Sequence, residues 1–459
     1  MNYNIPAKSM FKLKTAVFIT FFVFLSQLSI SQTTEISLRE AIQNAYKNNV
    51  NIVKTQYSIE SQEFSIKESY GNLLPDLTFS TGWTRTNQIT KAGQRAIGGV
   101  VFQVPEQNTT TDVFDLTLRS NVTIFDGLTN YDNIDLQKKT QRRLTILLEK
   151  YKQDAAIKVL TDYITVLKND QVVIINQATL EDSKAQLDKI KIFVEVGKRT
   201  LADVYKQDVV VAQNELTVEQ AKNEYNKSIA DLAFSSNLPI EKTYSVKKDE
   251  FVTALSYESL ENYVYVHSNI QNLVNNSLKN RYDYKSTVYN LGILQTNLDI
   301  AQGLLLFPTL TGFGNYSVSG NKIDKITNQR VFTIGLTLTY PIFQGFSVDK
   351  QKQQAIINYR SAEEDIKLLK NQIELDIKKA VLDLKSLLKQ IEISDRNLKS
   401  AEQDKLLAEE SYRIGLVTLL EVNTATTNLN NILIQKSNLI YNFILAQKTL
   451  EYYQGLLKY

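Results

Sequence analysis

The chain has 459 residues, with 52 Lys and Arg against 49 Asp and Glu, and no cysteine. The missing cysteine excludes disulfides, thiolate metal sites, a cysteine nucleophile and a lipidated N-terminal cysteine, so packing alone must hold the fold. The small charge excess disappears when the three lysines before residue 15 are set aside, and with no basic run left, nucleic-acid binding is not expected.

Residues 1–31 read as a signal peptide. Lys8, Lys12 and Lys14 form a positive start, TAVFITFFVFLSQL is an apolar core, and Ser29 and Ser31 are the small residues before an expected cut at Gln32. The mature chain is therefore expected to be exported. No later run of 18 apolar residues occurs, so no helix is expected to span a bilayer, and any crossing falls to strands.

The first strand segment, LPDLTFSTGWTRT, starts at Pro75 and is answered by VFDLTLRSNVTIF, giving an expected β-hairpin over about 76–126. Phe114, Leu116, Leu118, Val122 and Ile124 share one side, and Thr117, Arg119, Asn121 and Thr123 the other. Period-2 alternation over about ten residues suits a transmembrane strand, and equally a soluble hairpin with one wet face. The stretch NQITKAGQRAIGGVVFQVPEQNTTTD between the two segments is expected to be a loop.

A long helix is expected over about 128–196, because Leu128–Val196 contains neither Gly nor Pro and apolar residues such as Leu144, Leu148, Tyr151 and Ala155 recur at 3-4 spacing. At 1.5 Å per residue such a helix is roughly 100 Å long. Its stop is written in VEVGKRTLADV: Gly197 tolerates the left-handed conformation after a last turn. Thr200 then caps a return helix, with Asp203 reaching back to the cap.

After a linker over 237–257 the pattern repeats. A second hairpin is expected over about 309–344, containing Phe332, Ile334, Leu336, Leu338 and Tyr340 on one side and Thr333, Gly335, Thr337 and Thr339 on the other. A helix follows over about 346–414, then the turn YRIGLVTLLEV with Gly415, Thr418 and Glu421, and a return helix. Gly197 and Gly415 are 218 apart (415 − 197), as are Gly127 and Gly345. The chain divides into repeats 32–236 and 258–459. Four strands cannot close a barrel, so membrane strands would require several copies.

No catalytic constellation emerges. The single histidine, His267, has no apparent partner and is expected to be structural, while Gly93 and Gly98 have phosphate-loop spacing without the Lys-Ser/Thr that must follow. No enzyme activity, cofactor or metal is expected.

Written twice behind a signal peptide, the order of helix, hairpin, long helix, G-x-x-T-x-x-acid turn and return helix resembles the TolC-like outer-membrane factor family. SLREAIQNAYKNNVNI is similar to that family's opening helix, LLP and LFP to its strand starts, and IFDG and IFQG to its strand exits. The resemblance implies a mainly α protein in which three chains build a 12-stranded membrane β-barrel on an α-barrel of long antiparallel coiled helices. It implies a homotrimer in outer-membrane lipid extending into the periplasm, the passive exit duct of a tripartite efflux or type I secretion system. An inner-membrane pump and a periplasmic membrane-fusion adaptor would be its partners, the adaptor docking on the tip turns around Gly197, Thr200, Gly415 and Thr418. It further implies a gate in which Tyr412 bonds Asp203 and Glu421 forms an acidic ring. Val417 and Thr424 stand where the family often has an arginine and a second acid, and NRYD at Asn280–Asp283 lacks its usual proline, which leaves a helix break there open. The alternative to a duct is a soluble periplasmic coiled-coil scaffold.

Overall fold

The structure is a computed structural model that describes residues 34–248 and 256–458. The signal-peptide reading and part of the 237–257 linker therefore lie outside the described residues. The chain forms two compact units. One contains the residues up to Asn49, Lys152–Ile270 and Ile377 onward; the other contains Val50–Tyr151 and Gln271–Asp376.

In the first unit, strand β1 (Thr34–Ile36) pairs in parallel with β6 (Tyr244–Val246). Helix α1 (Leu38–Asn48) starts at Ser37, whose capping box with Glu40 is spelled by the S-x-x-E of the sequence. The core here gathers Leu38, Ile42, Val159, Leu160, Tyr163 and Ile444. The Tyr163 hydroxyl sits 3.2 Å from the Ile36 carbonyl and 2.7 Å from that of Lys247, tying the buried ring to both strands.

Two very long helices follow from the absence of breakers: α3 (Thr129–Glu195) and α8 (Ser347–Ile414), of 67 and 68 residues. Their antiparallel partners are α4 (Leu201–Ser235) and α9 (Leu419–Tyr453). The return helices also end alike. Asn237, at φ +52°, and Gly455, at φ +69°, are 218 apart and close each helix with a left-handed residue. Among the described residues, no helix is long and apolar enough to cross a membrane.

The second unit contains α2 (Val50–Gly71), α6 (Ile270–Asn280), α7 (Tyr282–Leu306) and a four-stranded antiparallel sheet in the order β2 (Thr78–Thr90), β5 (Gln107–Phe125), β7 (Thr309–Gly320), β8 (Gln329–Thr339). The stretch expected to be a loop is instead β structure. Strands β2 and β5 run on to the pair Thr90–Gln107, and β3 (Gly93–Ile97) pairs with β4 (Val100–Val104) around Gly98 and Gly99, both at positive φ. Two central residues with φ > 0 form the tight turn whose twist matches a hairpin.

Each exit from sheet to long helix passes through two successive left-handed residues, Gly127–Leu128 and Gly345–Phe346. The two glycines differ in surroundings. A Cβ on Gly127 would lie 2.9 Å from the Phe307 Cβ and 3.1 Å from the Gly303 carbonyl oxygen, whereas one on Gly345 would meet nothing within 4 Å.

The break between α6 and α7 forms without proline. Arg281 is extended (φ −60°, ψ 128°), and its guanidinium pairs with Asp283 at 2.6 Å and Asp376 at 3.4 Å. The short linker α5 (Tyr257–Val266) ends at His267, whose ring stacks on Tyr263 with centroids 4.2 Å apart and whose Nδ1 lies 2.9 Å from the Tyr263 carbonyl. That is a structural role.

Candidate functional sites: helical tips and an apolar sheet face

At the end of α3 the Lys198 N–H donates to the Phe193 carbonyl (2.8 Å) and the Gly197 N–H to that of Val194 (3.0 Å). At the end of α8 the same pair recurs as Leu416 to Ser411 (2.9 Å) and Gly415 to Tyr412 (3.0 Å). Gly197 at φ +73° and Gly415 at φ +88° supply the left-handed step, so both turns are Schellman stops. Each return helix then starts in a capping box. The Asp203 carboxylate accepts from the Thr200 N–H and hydroxyl (3.4 and 3.1 Å), and Glu421 does so from Thr418 (3.4 and 3.2 Å).

Tyr412 belongs to a small buried cluster with Ile190, Leu419 and Val422. Its expected hydrogen bond to Asp203 is not made within the chain. Asp203 is engaged by its own cap, and the Tyr412 hydroxyl has no hydrogen-bond partner among the described residues. Arg199 covers the tyrosine instead: the guanidinium lies 4.1 Å from the ring centroid and donates to the Tyr412 carbonyl. Burial pushes the Tyr412 hydroxyl pKa up, with Arg199 opposing and Asp203 adding. Val417, in the place of the family's arginine, packs against this cluster, and the cation over Tyr412 comes from the other helical hairpin.

A second cross-link joins the same hairpins. Lys405 of α8 reaches Asp182 of α3 at 2.8 Å and Glu409 at 3.6 Å. Burial disfavours its charge, but the two carboxylates raise its pKa overall. Thr179 donates to Asn430 (2.9 Å), which donates to Asn176 (3.2 Å), forming a polar layer between α3 and α9. Sequence reasoning missed Arg199 and Lys405. Each lies on a helix end or face that periodicity identifies, but their partners are more than 200 positions away in the chain.

The sheet carries the other candidate surface. Strand register places Phe79, Trp83, Phe114, Leu116 and Leu118 on one face with Tyr316, Val318, Phe332, Ile334, Leu336 and Leu338. This face is bare in the single chain: Phe332, Ile334, Leu336 and Leu338 are each at least 67% exposed. Trp83 and Phe114 stack at one end with centroids 6.4 Å apart, followed at once by the Arg85–Asp112 ion pair. At the other end stand the edge-to-face pairs Phe125–Phe307 and Phe343–Phe346. An apolar band on strands between two aromatic girdles is what a bilayer selects.

Comparison with known proteins agrees with these features. The chain is 24% identical over 458 residues to the outer membrane protein TolC of Escherichia coli K12, covering 94% of this chain and 85% of that protein. The TolC of Salmonella enteritidis is 24% identical with the same coverage. Among solved structures, the outer membrane protein VceC of Vibrio cholerae superposes with a TM-score of 0.73 at 16% identity, covering 91% of this chain and 96% of that one. The CmeC outer membrane channel of Campylobacter jejuni does so at 0.71 and 16%, covering 91% and 85%. The family model described as outer membrane efflux protein matches residues 41–237 and 273–456, and the chain belongs to the outer membrane efflux protein family.

Proposed function

We propose that the protein is a passive exit duct in the outer membrane, formed by three copies, through which a pump assembly expels its cargo. The observation that carries this reading is the exposed apolar sheet face bounded by aromatic girdles. A soluble scaffold would leave that face in water, where patches of this size are rare. Strands β2 and β8 each keep one unpaired edge, and lipid cannot satisfy free backbone groups. Pairing β8 of one copy with β2 of the next closes twelve strands.

The helices support the same assembly. Leu201, Tyr205, Val209 and Leu216 form an exposed stripe along α4, and Ile357, Leu368, Leu375 and Leu382 form another along α8. Such stripes at helical spacing are coiled-coil seams awaiting a partner. At the tips, Val196, Leu201, Ile414, Leu416 and Leu420 are all more than half exposed around the two turns, an apolar collar suited to docking a periplasmic adaptor that links the duct to an inner-membrane pump. Gly197, Thr200, Gly415 and Thr418 shape that collar. Fractionation with the outer membrane, a trimer by native mass in detergent and ion conductance in planar bilayers test the reading; a soluble monomer without conductance overturns it.

The tip residues Asp203, Tyr412 and Glu421 act in this proposal as a gate, with Arg199 as its clamp. Removing the guanidinium in Arg199→Ala forfeits a stacking contact worth about 1–2 kcal/mol in a partly desolvated site. The variant should conduct more than the parent in bilayers, with the trimer intact by native mass. Unchanged conductance would show that Arg199 only packs. Glu421 is exposed beyond its cap, and three copies would set three carboxylates around the closed lumen. Glu421→Ala should reduce cation selectivity and block by a trivalent cation added from the periplasmic side. Thr418 still caps the helix, so the structural cost is about 1 kcal/mol or less. Full selectivity and full block in the Ala variant would place the constriction elsewhere.

A further inference from the structure

The β3–β4 ribbon is not explained by a duct. Its register continues that of β2 and β5: Thr90 pairs with Gln107 and, after Lys91–Ala92 and Pro105–Glu106, Gly93 pairs with Val104. Pro105 has no N–H to give the ladder, and pairing lapses at Lys91–Ala92 and Pro105–Glu106, so this level is where the ribbon can hinge. Beyond it, Ile97, Val100, Phe102 and Val104 share one face with Arg95, which stands directly opposite Phe102. Ile97, Val100 and Phe102 are 64, 57 and 52% exposed. Among the described residues no third strand pairs with β3 or β4, and a two-stranded ribbon is at best marginally stable alone in water. This apolar face requires a cover.

The hydrocarbon of the bilayer cannot provide it. The lipid-facing band ends at Trp83 and Phe114, and the next pairs are Arg85–Asp112 and Asn87–Thr110. From Trp83, where the band ends, to the hinge at Lys91 the ribbon runs about 27 Å, whereas from the hinge to Ile97 it runs about 20 Å, taking ~3.4 Å per residue. Even folded straight back, the tip stops short of the apolar band.

A second copy of the chain can provide it. Twelve strands about 4.8 Å apart and tilted by ~40° close a ring of roughly 12 Å radius. A tip of about 20 Å hinged at its rim reaches past the axis. The ribbon grows from β2, whose free edge is the seam with the next copy, so threefold symmetry brings three identical apolar faces to one point. We propose that the three β3–β4 ribbons fold over the extracellular mouth and pack their Ile97, Val100, Phe102 faces together as a lid on the duct exit. The inference rests on the trimeric reading above.

The chain has no cysteine, so Ile97→Cys creates a single reactive thiol per copy. In purified trimer, mild oxidation with copper-phenanthroline should link two copies covalently, and the trimer should lose most of its bilayer conductance until reductant is added. Phe102→Lys is a second test, because Phe102 is 52% exposed in the single chain and stands directly opposite Arg95. Three lysines forced together beside three arginines should hold the lid open and raise conductance above that of the parent. If native mass shows a trimer, yet oxidation yields no linked copies and Phe102→Lys conducts like the parent, the lid is wrong and the duct stands. A monomer by native mass overturns both.

Discussion

Gly127→Val is expected to abolish recovery of assembled channel from the outer membrane, while Gly345→Ala, at the equivalent place in the second repeat, is expected to assemble. Both glycines are left-handed, at φ +72° and +59°, where a β-branched residue is a steric outlier. At Gly127 the added carbon also runs into the Phe307 Cβ and the backbone oxygen of Gly303. The oxygen belongs to the last turns of α7 and cannot yield without unwinding them. Strand β5 would then leave the sheet at the wrong angle, and the sheet and α3 could not form together. Alanine at Gly345 meets open space and incurs only the torsional cost, about 1–2 kcal/mol. The yield of heat-stable oligomer in membrane extracts, a trimer on the proposed assembly, measures both. Equal yields would mean that the close approach of Gly127 and Gly303 does not matter.

Arg281→Ala is expected to cost about 3 kcal/mol, because removing one member of a partly buried ion cluster strands the others. Asp283 and Asp376 are 24 and 18% exposed, and Arg281 is 12%. Burial alone would raise the Asp283 pKa, but the hydrogen bond and charge of Arg281 lower it below the ordinary value. An acid whose folded pKa is depressed adds stability above its unfolded pKa, near 4, and loses it as pH falls through the folded value. The parent should therefore weaken only in acid below about pH 4. In Arg281→Ala, burial dominates at Asp283 and the sign reverses: the variant should be less stable at neutral pH than in mild acid, where the carboxyl takes a proton. Denaturant midpoints of the two proteins across pH decide this, and parallel pH profiles would rule out the ion cluster as the cause.

The frame of the molecule was legible because it depends on local chemistry. A stretch without Gly or Pro from Leu128 to Val196 must be helix or strand, and its 3-4 spacing chose helix; α3 covers Thr129–Glu195. The glycines at 127, 197, 345 and 415 are all left-handed, since glycine makes such steps at the least steric cost. What escaped was either disguised or non-local. The β3–β4 ribbon resembled a loop through its glycines and polar residues, although Ile-Gly-Gly-Val between alternating residues is hairpin chemistry. Asn237 hid the match to Gly455 because asparagine also tolerates the left-handed region. The break at Arg281 lacked the proline that announces breaks, and an ion pair to α8 stands in its place. The Arg199–Tyr412 contact joins residues 213 positions apart, and periodicity names faces, not neighbours.

The inequality of the two hairpins bears on stoichiometry. Strand β7 turns into β8 through the single short helical turn at Ile323–Lys325, while β2 and β5 carry the hinged ribbon. If the two repeats were separate, identical polypeptides, six of them would be needed to complete the same ring, and every hairpin would carry the ribbon or none would. Six tips of about 20 Å converging within a radius of roughly 12 Å would exclude one another. In the proposed trimer, fusing two halves into one chain reduces sixfold symmetry to threefold. That reduction would let alternate positions differ: three hairpins would project over the mouth, and the three between them would stay short enough to leave the space in which the others meet.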